Sequence, residues 1–153
     1  MAARAGAAPT PELVDALVQL SFAVHDVLAR VSADNDLSVT QLRLLGILRD
    51  RRPPMTAIAD HLGLDRSSVT GLVDRAERRG LVARTASPHD ARVVIVRTTA
   101  AGAQVSRKLA ARVTSEIEAL VEHLPGAQRH AIVRVAAAVL SPPVPPERRP
   151  ADR

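Results

Sequence analysis

The stretch Ile58-Ala59-Asp60-His61-Leu62-Gly63-Leu64-Asp65-Arg66-Ser67-Ser68-Val69-Thr70-Gly71-Leu72-Val73-Asp74-Arg75 carries the decision about the fold. Ile58, Ala59 and Leu62 share one face of a short helix, and Gly63 ends it because glycine takes the left-handed backbone without steric cost. Asp65 can cap a second helix whose apolar face is Val69, Leu72, Val73 and Ala76, with Gly80 at its stop position. Two short helices about a tight glycine turn, the second with a polar outer face, form a helix-turn-helix pattern.

Downstream, Leu81–Thr85 and Val93–Thr98 are rich in Val, Ile and Thr around the polar loop Ala86-Ser87-Pro88-His89-Asp90-Ala91, which predicts a β-hairpin. Thr99 then caps a long helix carrying Val105, Leu109, Val113, Ile117, Leu120 and Leu124, broken by Pro125 and Gly126. A last helix carries Ile132, Val135, Ala136 and Val139. Upstream, Ser38 and Gln41 form a capping box for a helix with Val39, Leu42, Leu45 and Leu48, ended by Arg51-Arg52-Pro53-Pro54. Before it, Thr10 and Pro11 start a long helix marked by Leu13, Leu17, Leu20, Val24, Leu28 and Val31.

The expected fold class is therefore mostly α: a winged helix-turn-helix over about residues 38–99, flanking N- and C-terminal helices over about 10–33 and 99–140, and one β-hairpin wing. Residues 10–140 read as a single domain, residues 1–9 as a flexible N-terminus, and 141–153, with five prolines, as a disordered tail.

Composition narrows the function classes. The 153 residues include no Cys, which excludes disulfides, thiolate metal sites and cysteine nucleophiles. Five dispersed histidines, of which only His123 and His130 are loosely spaced, leave no metal motif, so no metal and no cofactor are expected. No phosphate-binding glycine loop or nucleophile elbow is present, and no enzyme activity is expected. A net charge of +5 favours a polyanionic partner. Residues 51–112 hold twelve basic and five acidic side chains, a net +7 that leaves the rest of the chain at −2. Phe22 is the only aromatic residue, which argues against base-stacking recognition of single strands and leaves duplex DNA. Neither a membrane-crossing apolar run nor a signal peptide is apparent, so the expected location is cytoplasmic.

A helix that enters the major groove needs short polar and cationic side chains near its N-terminus, where backbone N–H groups also favour phosphate. Arg66, Ser67, Ser68 and Thr70 meet that requirement, with Arg75 further along the helix. Ser38 and Thr40 at the preceding helix start, and Arg84, His89, Asp90 and Arg92 on the hairpin, complete the DNA-binding candidates. Arg78 and Arg79 sit at a helix C-terminus, where cations complement the helix dipole without DNA. The same basic surface would also serve a nonspecific architectural DNA-binding protein, the alternative reading.

The quoted stretch, followed by Arg79-Gly80-Leu81-Val82-Ala83-Arg84, Asp90-Ala91-Arg92 and Thr99-Ala100-Ala101-Gly102, resembles the multiple-antibiotic-resistance regulator (MarR) family, with four motifs in order over about half the chain. The resemblance implies a homodimeric winged-helix transcription regulator that binds a palindromic operator as a ligand-responsive repressor. By the same resemblance, Arg92 is a wing arginine that reaches a minor groove, and Asp90 pairs with it. Two positions depart from the family pattern: Gly71 replaces a larger polar residue on the recognition helix, and Thr98 replaces an apolar residue before Thr99.

A dimer interface is expected from Leu13, Leu17, Leu20, Leu120, Leu124, Ile132, Val135 and Val139, whose apolar stripes lie on helices outside the winged unit. Phe22 extends a second row, Val14 and Val18, suited to core or interface packing. The resemblance also implies a pocket for a small aromatic or lipophilic effector at the middle of the first helix and the start of the second, with His25, Asp26 and Arg43 as its polar candidates.

Overall fold

A computed structural model describes residues 10–88 and 90–141, so the expectations for residues 1–9, for His89 and for the tail beyond Ser141 lie outside the described residues. The element order is α1 (Pro11–Ala33), α2 (Val39–Leu48), α3 (Met55–Leu62), α4 (Arg66–Arg78), β1 (Val82–Ala86), β2 (Val94–Thr98), α5 (Ala100–Val121) and α6 (Gly126–Leu140). This is a winged helix-turn-helix with helices on either side in sequence. The chain forms two compact units that divide within α5, one ending at Ile117 and the other beginning at Glu118.

The helix starts follow the capping chemistry. The Leu13 amide donates to Thr10 Oγ1 at 3.3 Å. Ser38 and Gln41 make both halves of the capping box, Gln41 N–H to Ser38 Oγ at 3.2 Å and Ser38 N–H to Gln41 Oε1 at 2.9 Å. Helix α3 begins after Pro54 with no side-chain cap. Instead, Pro54 forms a bridge with Ile95, and the Val96 amide donates to Pro53 O at 3.0 Å, so the segment before α3 lies along the outer edge of β2. The strands pair antiparallel with Val82 opposite Thr98 and Ala86 opposite Val94, one residue later at each N-terminal end than the sequence pattern suggests.

The core of the first unit gathers Leu44, Leu45 and Leu48 of α2, Ile58 and Leu62 of α3, and Val69, Leu72, Val73 and Ala76 of α4. Val82 and Val96 close it from the hairpin, and Val27, Val31 and Leu109 join it from α1 and α5. Ser106 Oγ donates to Leu45 O at 3.2 Å in this interior, giving a buried hydroxyl the partner it requires.

Helix α5 starts against the turn that follows α4. Thr99 Oγ1 accepts the Gly102 amide at 2.9 Å and donates to Gly80 O at 2.6 Å, while the Thr99 amide donates to Leu81 O at 3.1 Å. The backbones approach so closely that a Cβ on Gly102 would lie 1.7 Å from Leu81 O.

In the second unit, α6 buries none of its residues. Ile132, Val133, Val135, Val139 and Leu140 are all exposed. In the first unit, Leu13, Val14, Leu17, Val18 and Leu20 are exposed on α1, and Phe22 is 58% exposed, so Phe22 is not part of this chain's core.

Candidate nucleic-acid interface

Gly63, at φ 66°, makes the turn between α3 and α4. Its amide donates to Asp60 O and the Leu64 amide to Ala59 O, so the last α3 carbonyls are satisfied as the chain reverses. Asp65 Oδ1 then accepts the Ser68 amide at 2.8 Å and starts α4. The Ser67 and Ser68 hydroxyls also donate to the Asp65 carboxylate. These hydroxyls, with the Ser68 amide, hold the Asp65 carboxyl well below the usual carboxylate range. Thr70 Oγ1 donates to Arg66 O at 2.9 Å. In this state the three hydroxyl protons of the first turns are directed at the protein's own acceptors, which leaves Arg66 as the exposed cationic donor at the start of α4.

Asp65→Ala removes this cap, and we expect a lower melting temperature at neutral pH. Because the folded carboxyl has the lower pKa, its contribution is fully present above the unfolded value of about 3.9 and is lost as pH falls through the folded value. The difference in melting temperature between wild type and variant should therefore stay constant from pH 8 to pH 5 and close only in stronger acid. A difference that changed through pH 6 would contradict this origin.

A concavity of about 400 Å³ brings Ser38 and Thr40 of the α2 start together with Ser67, Ser68, Gly71 and Arg75 of α4. Six candidates or neighbours drawn from separate stretches of sequence thus face one surface. Gly71 has room for a side chain, since an added Cβ would meet only Arg75 Nη1 at 3.4 Å, the mobile end of a long side chain. Gly71→Ala should stabilise the fold by about 1 kcal/mol through helix propensity. Equilibrium denaturation measures it, and a destabilised variant would refute the open geometry.

The wing tip is held by its own backbone. Ser87 N–H donates to Val93 O at 2.8 Å, and Val93 N–H to Asp90 O at 2.9 Å. Asp90 Oδ1 accepts the Arg92 backbone amide at 2.9 Å, where an ion pair with the Arg92 side chain was expected. A carboxylate two residues upstream reaches the backbone amide in a tight turn and is engaged there. Arg92 is exposed and makes no ion pair among the described residues.

Arg84 behaves differently. Its Nη2 meets Asp74 Oδ1 at 2.6 Å and its Nη1 meets Glu77 Oε2 at 2.6 Å, while its backbone amide donates to Glu77 Oε1 at 3.1 Å. Burial alone would lower the guanidinium pKa, but the hydrogen bonds and charges of Asp74 and Glu77 outweigh it and hold the value above that of an ordinary arginine. Arg84 thus clamps β1 to α4 and fixes the wing relative to that helix. Arg79 also has protein partners, donating at the surface to the Asp36 and Asn35 carbonyls after α1. Asp74 and Glu77 were not singled out from sequence, and their one-turn spacing on α4 was the available signal.

His25 and Arg43 line a cavity of about 580 Å³ whose walls include Leu17, Leu20, Val24 and Val39. Asp26 does not line it, because one residue along a helix turns the side chain about 100° away from the face that His25 occupies. Of the expected interface residues, Leu13, Leu17, Leu20, Ile132, Val135 and Val139 are exposed, and Leu120 and Leu124 are half-buried.

Residues 35–93 match the model of the MarR family. The chain is 35% identical over 75 residues to the HTH-type transcriptional regulator YfiV of Bacillus subtilis, a match covering 48% of the chain and 47% of the relative. The match therefore spans about half the length of that curated relative. Among solved structures, CouR from Rhodococcus jostii RHA1 bound to p-coumaroyl-CoA superposes with a TM-score of 0.76 at 23% identity, covering 91% of this chain and 99% of that one. The transcriptional repressor CouR bound to a 23-mer DNA duplex gives 0.73 at 26% identity, covering 89% and 100%.

Proposed function

We propose that this chain is a sequence-specific duplex-DNA-binding transcriptional regulator, a repressor that acts as a homodimer on a palindromic operator and yields it to a small aromatic or lipophilic effector. The observation that carries the reading is the joint presentation of two exposed arginines on one braced frame: Arg66 at the start of α4 and Arg92 on the wing, with Arg84 tying β1 to α4. A helix N-terminus with a cation suits the major groove, and an exposed arginine in the loop of a hairpin suits the concentrated negative potential of a narrow minor groove. Similarity to a repressor solved on a DNA duplex supports the same use.

A dimer follows from the apolar residues left exposed. Leu13, Leu17 and Leu20 on α1 and Ile132, Val135 and Val139 on α6 would be covered by a second copy. Two copies related by a two-fold axis present their α4 helices to successive major grooves, about 34 Å apart. The cavity at His25 and Arg43 is the effector candidate, and an effector that favours a different spacing of the two α4 helices would weaken DNA binding by its differential affinity.

The test is competition binding at physiological salt, with duplexes from the DNA upstream of the chain's own gene against equal masses of unrelated duplex, followed by selection from random sequence. A discrete complex on a palindrome that survives the competitor, with two chains per site by sedimentation, is the expected result. Equal competition by every duplex, with no sequence enriched in the selection, would overturn it in favour of an architectural DNA-binding protein.

A further inference from the structure

A second basic site lies apart from the helix-turn-helix surface. A concave cavity of about 530 Å³ between the end of α2 and the strand β2 is lined by Arg49, Arg51, Arg52 and Arg97, with Asp50 as its one acidic residue. Asp50 is already engaged by Arg49, with Nε to Oδ2 at 2.9 Å. Arg51, Arg52 and Arg97 make no ion pair among the described residues.

Backbone pairing explains how these cations come together. The Pro54–Ile95 bridge and the Val96 N–H to Pro53 O bond set an antiparallel register. Carried two residues further, that register puts Arg52 opposite Arg97. Like charges directly opposite one another on neighbouring strands are destabilising, and among the described residues lining the cavity the one carboxylate, Asp50, is engaged by Arg49. Pro53 fixes its own φ and biases the preceding Arg52 toward extended backbone, which suits the pairing alongside β2.

We infer that this cavity binds a small polyphosphate anion, the linear phosphate chain of a nucleoside di- or triphosphate or of an inorganic polyphosphate. Guanidinium forks match phosphate oxygens bidentately, and several of them around one concavity suit a ligand with charges spread along a chain better than a single phosphate. Duplex DNA fits this place less well. The cavity shares no lining residue with the concavity of Ser38, Thr40, Ser67, Ser68, Gly71 and Arg75. Arg97 is also three residues along β2 from its first residue, Val94, and so about 10 Å from the end of the strand nearest the wing tip.

The experiment is calorimetric titration of the full chain with sodium tripolyphosphate, with ATP and with inorganic phosphate, at matched ionic strength. We expect saturable binding of one tripolyphosphate or ATP per chain, at least about tenfold tighter than inorganic phosphate. The double variant Arg52→Ala/Arg97→Ala should lose about tenfold or more of that affinity while keeping or raising its ligand-free melting temperature, because a repulsion is removed. Arg92→Ala should bind tripolyphosphate like the wild type. Tighter binding of ATP than of tripolyphosphate would assign the site to a nucleotide, and equal binding would assign it to the phosphate chain itself. Absence of saturable binding overturns the inference, as does an affinity that the double variant leaves unchanged. So does loss of duplex DNA affinity in the double variant as large as that in Arg92→Ala, which would make these arginines part of the DNA contact.

Discussion

Gly102→Ala should cost at least about 3 kcal/mol of stability or prevent folding altogether, placing it among the severe single substitutions. The added Cβ would sit 1.7 Å from Leu81 O, 2.7 Å from Leu81 C and 3.0 Å from Leu81 Cα, and all three are backbone atoms that cannot rotate away. The only relief is to move the start of α5 off the turn at Gly80 and Leu81. That movement breaks the Thr99 Oγ1 to Gly80 O bond and the Thr99 N–H to Leu81 O bond. It also withdraws Leu109 from the core. Gly46, in the last turn of α2, is the control, because a Cβ there meets nothing within 4 Å. Gly46→Ala should stabilise by about 1 kcal/mol through helix propensity alone. Urea denaturation of the two variants should therefore give opposite signs, and a Gly102→Ala protein as stable as wild type would show that the α5–turn approach is not a requirement of the fold.

Arg92→Ala should lower duplex DNA affinity by about tenfold or more, in line with the 1–3 kcal/mol typical of an arginine that engages a groove, without changing thermal stability. The guanidinium makes no ion pair among the described residues, so its removal leaves no buried partner behind. The loop keeps its shape, since Asp90 accepts the Arg92 backbone amide, which alanine retains. Arg84→Ala should reverse the pattern. It leaves Asp74 and Glu77 beside each other without their shared cation, and because both carboxylates are partly solvated a loss of about 1 kcal/mol of stability is expected. Any effect of Arg84→Ala on DNA would then arise through a loosened wing. Melting curves and fluorescence anisotropy on both variants separate the roles. An Arg92→Ala protein that unfolds more readily but binds DNA normally would reverse the assignment.

The helix limits were legible in the residues themselves. Thr10, Ser38 with Gln41, and Asp65 cap the helices that they were expected to cap, and Gly63 and Gly80 take the positive φ that ends α3 and α4. Those features depend on hydrogen bonds and sterics within three or four residues, so a one-dimensional pattern contains them. The apolar periodicity likewise identified Leu42, Leu45, Leu48, Val69, Leu72, Val73 and Ala76, all of them buried.

The tertiary structure alone decided which charged groups are already committed. Arg84 and Arg92 look equivalent in sequence, yet one is clamped by two carboxylates on α4 and the other is left at the wing tip, because only folding brings β1 within reach of Asp74 and Glu77. The same holds for Asp26, which the helix turns away from the cavity beside His25, and for Arg52, which the Pro54–Ile95 bridge sets near Arg97. Local chemistry determines where an element begins and ends, whereas the partner a long side chain finds depends on distances between elements, which exist only once the chain has packed.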